Sequence, residues 1–212
     1  MKLRLLTLLI FSILFACGPS ITFEVPQPPS SNSLNRFPKK LLGHYISENQ
    51  LSYLTISKNQ VLKTYDYDIK LDRDSLDEEY TIKGDSLIEK ATGIKQFIKV
   101  AGDNIVAHIN QVDTLFSLSS KNILKKFRGH YFLNTEYEDG WSVTKLSFSK
   151  GILTFGEINN KEDLDDLSKI VESDLDTVIY NLKVTRKQFK KFVKEGGFRE
   201  EEIYYRTKNR FN

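Results

Sequence analysis

The chain has 212 residues, with 31 Lys and Arg against 28 Asp and Glu, 14 Phe, 10 Tyr and one Cys. Charges of both signs are interspersed, which excludes the basic stripe of a nucleic-acid binder. The lone cysteine excludes an internal disulfide framework.

Residues 1–16 read as a signal peptide. Lys2 and Arg4 form a basic start, and Leu5 to Ala16 is a run of low polarity. That run is too short for a helix crossing a bilayer, which needs about 20 apolar residues, and it fits a leader removed from the mature chain. Without Lys2 and Arg4 the chain is close to charge balance. The run ends Leu14-Phe15-Ala16-Cys17. This resembles the lipobox of bacterial lipoprotein precursors: an aliphatic residue, a spacer, a small residue, then Cys. The resemblance implies that Cys17 takes a diacylglyceryl group, becomes the first mature residue and is further acylated, for instance with palmitate. It implies membrane lipid as the partner of Cys17. Each buried methylene contributes about 0.8 kcal/mol, so two or three chains hold a protein on a membrane where one would not. Gly18 to Thr22 lacks the acidic residues that some lipoproteins of Bacteroidota-like bacteria carry after Cys. A periplasmic position at the outer membrane is therefore expected. The Lys-, Ile- and Asn-rich body resembles uncharacterised lipoproteins of such bacteria in composition alone.

Residues 17–36 read as the lipidated Cys and a Pro/Ser-rich tether. Pro19, Pro26, Pro28 and Pro29 favour extended backbone, with a reach on the order of 60 Å at about 3.1 Å per residue. The alternation of Ile21, Phe23 and Val25 leaves open an edge strand instead.

The body then repeats itself. Lys39 to Tyr45 reads KKLLGHY and Lys125 to Tyr131 reads KKFRGHY. After each comes a strand ending in Ser-Lys, a tight turn and an apolar pair: Leu54 to Leu62 in the first, Leu146 to Leu153 in the second. This pattern predicts two tandem β-rich modules, 37–120 and 123–207, related by an internal repeat. Tyr45 and Tyr131 are expected as core anchors. His44 and His130 are expected to point away from them as structural rather than metal-binding residues, because short-range partner ligands are missing.

In the first module, Tyr65 to Asp72 alternates apolar and polar residues, the pattern of a half-buried antiparallel strand. Further strands are expected at 80–83, 87–90, 94–100, 105–109 and 115–118. The acidic stretch around Asp72, Asp74, Asp77 and Glu78 has Arg73 and no Gly where a calcium loop needs one, so it reads as a solvated turn. In the second module, Asn160 caps a helix with Glu162 and Asp163 in its first turn, and Leu164, Leu167, Ile170 and Val171 share one face. A strand over Val178, Tyr180, Leu182 and Val184 follows. Thr185 and Gln188 form a capping box for a second helix with Phe189 and Phe192 inward and Lys187, Lys190, Lys191 and Lys194 outward. Gly196-Gly197 ends it. The expected class is α+β, mainly antiparallel β.

No phosphate loop, GxSxG, HExxH or CxxC occurs, so no cofactor and no metal are expected. The leading expectation is a lipid-anchored, non-catalytic binding or scaffold module of the cell envelope, with an envelope protein or peptidoglycan as partner and no nucleic acid. A carrier of an apolar ligand would instead need one cavity lined by residues such as Phe97, Phe116, Tyr131 and Trp141. An envelope hydrolase would need His44, His108 or His130 to meet a carboxylate and a nucleophile.

Overall fold

A computed structural model of the chain describes residues 20–171 and 179–208. Cys17, the leader and Val178 lie outside the described residues. The described part is a mainly antiparallel sheet with two helices, the α+β class expected from the sequence.

The strands in chain order are β1 (Ser20–Phe23), β2 (Ser33–Leu34), β3 (Gly43–Ser47), β4 (Ser52–Ile56), β5 (Gln60–Asp72), β6 (Tyr80–Lys83), β7 (Ser86–Glu89) and β8 (Lys95–Ala101). They continue as β9 (Asn104–Ser117), β10 (Asn122–Phe127), β11 (His130–Tyr137), β12 (Gly140–Ser149), β13 (Ile152–Glu157), β14 (Ile179–Leu182) and β15 (Glu200–Thr207). The helices are α1 (Lys161–Val171) and α2 (Arg186–Lys194).

The two sequence repeats adopt one geometry. In the first, Tyr45 lies opposite Leu54, Ile56 opposite Val61, and Val61 opposite Phe116. In the second, Tyr131 lies opposite Leu146, Phe148 opposite Leu153, and Leu153 opposite Tyr204. Thus β3-β4-β5-β9 and β11-β12-β13-β15 are four-strand units in matching register. Tyr45, Leu54, Val61 and Phe116 are buried, as are their counterparts Tyr131, Leu146, Leu153 and Tyr204.

The expected boundary between modules 37–120 and 123–207 is not a structural one. Strand β15 pairs with β3, with Tyr205 opposite Ile46 and Arg206 opposite Tyr45. Residues of both stretches, Tyr45 and Phe116 with Tyr131 and Tyr204, fill a single core cluster. A four-strand unit has two edges of unpaired backbone groups and one apolar face. Joining the units edge to edge satisfies one pair of edges and merges the two faces into one core.

The tether over 17–36 is also corrected, from Ser20 onward. β1 runs parallel to β14, Ser20 opposite Ile179 through Phe23 opposite Leu182. Phe23 is fully buried, and its ring meets Phe189 edge-on at 6.3 Å. Burial of that one ring contributes about 2 kcal/mol. The proline-rich stretch beyond it is fastened rather than free. Lys125 donates from Nζ to the carbonyls of Pro26 at 2.7 Å and Pro28 at 3.0 Å. The Asn134 amide donates to the Gln27 carbonyl at 3.0 Å. Proline lacks a donor but keeps its acceptor, so a strap of prolines is held by donors from the sheet beneath it.

β5 and β9 are longer than expected and form an arm beyond the core. The predicted strands 105–109 and 115–118 fuse into β9, because the polar stretch Asn110 to Thr114 still finds backbone partners in Leu62 to Asp66. Strands β6 to β8 cover the far part of the arm around a small cluster of Leu87, Ile98, Ile105 and Ala107.

Both helices cover a second cluster that holds Phe23, Phe132, Leu167, Phe189 and Phe198. Their ends follow the sequence. Asn160 accepts from the Asp163 amide at 2.8 Å. Thr185 and Gln188 form both halves of the capping box. Gly196 takes φ 88°, left-handed backbone that glycine tolerates without strain.

Candidate binding groove

The inward row of β5 starts in the core at Val61 and continues through Lys63, Tyr65 and Tyr67. Strand alternation puts these on one face. They leave the apolar interior at the end where the β3–β4 turn and β15 stand beside them. Ser47, Asn49 and Ser52 from the turn and Glu202 and Tyr204 from β15 complete a groove of about 410 Å³.

At its centre three polar groups lock together. Lys63 Nζ donates to Glu202 at 3.0 and 3.2 Å. The Tyr204 hydroxyl donates to Glu202 Oε2 at 2.6 Å. The ammonium also lies 5.2 Å from the centroid of the Tyr65 ring and 5.9 Å from that of Tyr204. The Lys63 side chain is only 12% exposed. Burial works against its charge, but the Glu202 carboxylate and the Tyr204 oxygen outweigh it and hold the Lys63 pKa above its ordinary value. Burial likewise favours a neutral Glu202, yet the hydrogen bonds from Tyr204 and Lys63 bring its pKa below the usual carboxylate range. Burial, reinforced by the Glu202 charge, pushes the Tyr204 phenol up to about 12. Near neutral pH the set is therefore fixed as ammonium, carboxylate and phenol. Such groups bind and orient; a general acid or base works best with a pKa near the working pH. On the rim, Asn49 Oδ1 accepts from the Ser47 hydroxyl at 2.7 Å and the Leu51 amide at 3.0 Å. Tyr65 and Tyr67 are half-buried and line the groove.

The residues singled out from sequence lie elsewhere. His44 Nδ1 is 3.0 Å from the Thr55 hydroxyl, and His130 Nδ1 is 2.7 Å from the Ser147 hydroxyl. The two pairs are repeat equivalents, each tying a strand to its neighbour on the face away from the core tyrosine. Among the described residues neither ring touches a carboxylate. Burial and the nearby Lys145 push the His130 pKa down, with Glu201 acting the other way. His108 sits on the exposed arm, 3.0 Å from Asp68 and 3.5 Å from Asp66, and among the described residues no hydroxyl or thiol bonds its ring. Asp72 and Asp77 accept from the amides of Asp74 and Glu79, the behaviour of turn residues. Phe116 and Tyr131 are in the central core, Trp141 packs against the helical cluster, and Phe97 is 73% exposed. The four do not line one cavity.

Sequence reasoning missed the groove, although a signal was present. Lys63 occupies the apolar phase of β5, and a lysine at such a position needs a partner. The buried Asp163 was assigned only to the helix dipole. It also accepts from the Arg199 backbone at 2.9 Å and its guanidinium at 2.5 Å. The chain matches no protein-family model, no curated protein and no solved structure.

Proposed function

We propose that this chain is a lipid-anchored lipoprotein of the bacterial cell envelope, held by acylated Cys17 at the periplasmic face of the outer membrane, and that its body is a non-catalytic binding module. The observation that carries the binding reading is the groove with its interlocked Lys63, Glu202 and Tyr204. Its volume falls within the roughly 300–1,000 Å³ of small-ligand sites. Rigid strands supply its walls, two tyrosine rings offer apolar contact, and its polar groups keep their protonation states through neutral pH. The fitting ligand presents a flat apolar face to Tyr65 and Tyr67 and hydrogen-bond donors to Glu202 and the rim. Envelope glycans of the peptidoglycan type have that chemistry.

The lipobox residues Leu14 to Cys17 support the anchor. Only two residues separate Cys17 from β1, which begins at Ser20. Three residue steps span on the order of 10 Å. The body would therefore ride against the lipid headgroups rather than at the end of a long tether. The dispersal of Phe97, Phe116, Tyr131 and Trp141 counts against the carrier reading.

Two measurements test the proposal. Cys17→Ala is expected to move the protein out of the membrane fraction of its native host and abolish labelling by palmitate; a mutant that stays membrane-bound contradicts the anchor. Purified glycan fragments of the cell wall are expected to bind the wild type, and Tyr65→Ala/Tyr67→Ala to weaken that binding at least tenfold. Equal binding by both proteins would remove the groove from consideration.

A further inference from the structure

A second pocket, on the opposite logic from the groove, collects cations. It holds about 480 Å³ between the β10–β11 turn and α2, and its lining is Phe127, Arg128, Arg186, Lys187 and Lys190. Four cations and one aromatic ring meet there, and among the described residues no carboxylate lines the pocket. The charges come from two elements some 60 residues apart, so a solvated face of one helix does not by itself account for them.

Three local choices run against stability. Helix α2 carries Arg186 and Lys187 in its first turn and no acidic residue there, although the positive end of a helix favours carboxylates. α1 follows that preference, with Glu162 and Asp163 in the same place. Arg128 adopts φ 50° beside Gly129 at φ 88°, in a two-residue hairpin turn that prefers Asn, Asp or Gly. It adds a further like charge to the cluster. The α2 amide groups are not the attraction, because the Thr185–Gln188 capping box already engages that end of the helix. The convergence is one of side chains, and an anion would relieve it. Departures from local preference of this kind concentrate at functional positions.

The geometry of the donors indicates the anion. Arg186 is pre-positioned, donating from one nitrogen to the Ser30 carbonyl at 2.8 Å with its guanidinium 5.4 Å from the Phe127 ring centroid. Two guanidinium forks with two ammonium groups match the several oxygens and up to two charges of a phosphate. Phe127 gives an apolar wall for the carbon next to an ester oxygen. We propose that the pocket between Phe127, Arg128, Arg186, Lys187 and Lys190 binds a phosphate ester, carried either by a phospholipid headgroup or by a soluble metabolite.

The test uses the full chain in neutral detergent, with binding followed by NMR of the Phe127 ring at constant ionic strength. The probes are inorganic phosphate, glycerol 3-phosphate, and micelles doped with phosphatidylglycerol. Saturable shifts are expected, with affinity reduced at least tenfold in Arg128→Gly/Lys190→Gln. Glycine suits the left-handed turn and residue 190 is exposed, so this variant is expected to keep its fold, which its remaining spectrum checks. Binding of the doped micelles but not of the soluble probes would assign the ester to lipid, and the reverse to a metabolite. Absence of saturable binding to all three, or equal binding by the variant, overturns the proposal.

Discussion

Lys63 shows how a single side chain marks where a core ends. It occupies an inward position of β5 two residues after the fully buried Val61, and its charge is matched there by Glu202 and Tyr204. Removing Glu202 would lower the phenol's pKa, so Glu202→Gln is expected to bring the Tyr204 ultraviolet titration down from about 12 towards ordinary values. A midpoint that did not move would separate the two groups. The sign for stability follows by linkage. The raised Tyr204 stabilises the fold fully below the unfolded tyrosine value and loses that contribution as pH climbs through about 12. The depressed Glu202 stabilises it above the unfolded carboxylate value and loses that contribution in acid. Denaturant titrations across pH should therefore show stability falling at both extremes, and the acid limb should shrink in Glu202→Gln. Asp163 is a second residue whose role is tertiary. It is fully buried and bonded to Arg199 through backbone and side chain. Asp163→Ala leaves the Arg199 amide without its acceptor, while the guanidinium keeps Asp166 at 2.6 Å and Glu162 at 3.4 Å. A loss of about 2 kcal/mol is expected in urea unfolding. Its place in the first turn of a helix was legible; the partner 36 residues away was not.

At the level of elements, local signals were most legible where neighbouring residues enforce the structure. The α2 capping box is such a case, since donor and acceptor lie three residues apart. Thr185→Ala is expected to cost about 1 kcal/mol, read as a shift of the thermal midpoint. Gly156 is the contrary case. Nothing in the sequence of β13 explains a glycine there, but a Cβ would come within 2.6 Å of the Phe198 carbonyl oxygen. Gly156→Ala is therefore expected to destabilise by more than the cap does, about 2 kcal/mol, in the same measurement; a neutral result would mean that the Phe198 segment yields easily. Strand lengths failed for a related reason. The stretch from Asn110 to Thr114 lacks an apolar rhythm, yet it is strand because β5 supplies partners beside it.

The whole molecule answers questions that neither repeat raises alone. A tether would be dispensable, whereas a strap that buries Phe23 and holds Lys125 and Asn134 would not. Deleting residues 20–34 is thus expected to lower the urea midpoint markedly, and an unchanged midpoint would restore the tether. Residues 37–120 by themselves are expected to give a poorly dispersed NMR spectrum, because half of the core around Tyr45 comes from the second repeat. The sequence by itself determined the β-rich class, the helix caps and the matching hairpins of the two repeats, since each rests on residues close together in the chain. Tertiary structure decided the single shared core, the folded strap, the groove and the cation pocket. Those depend on which strand edges and side chains far apart in the chain meet, and a pattern of neighbours carries no record of such distances.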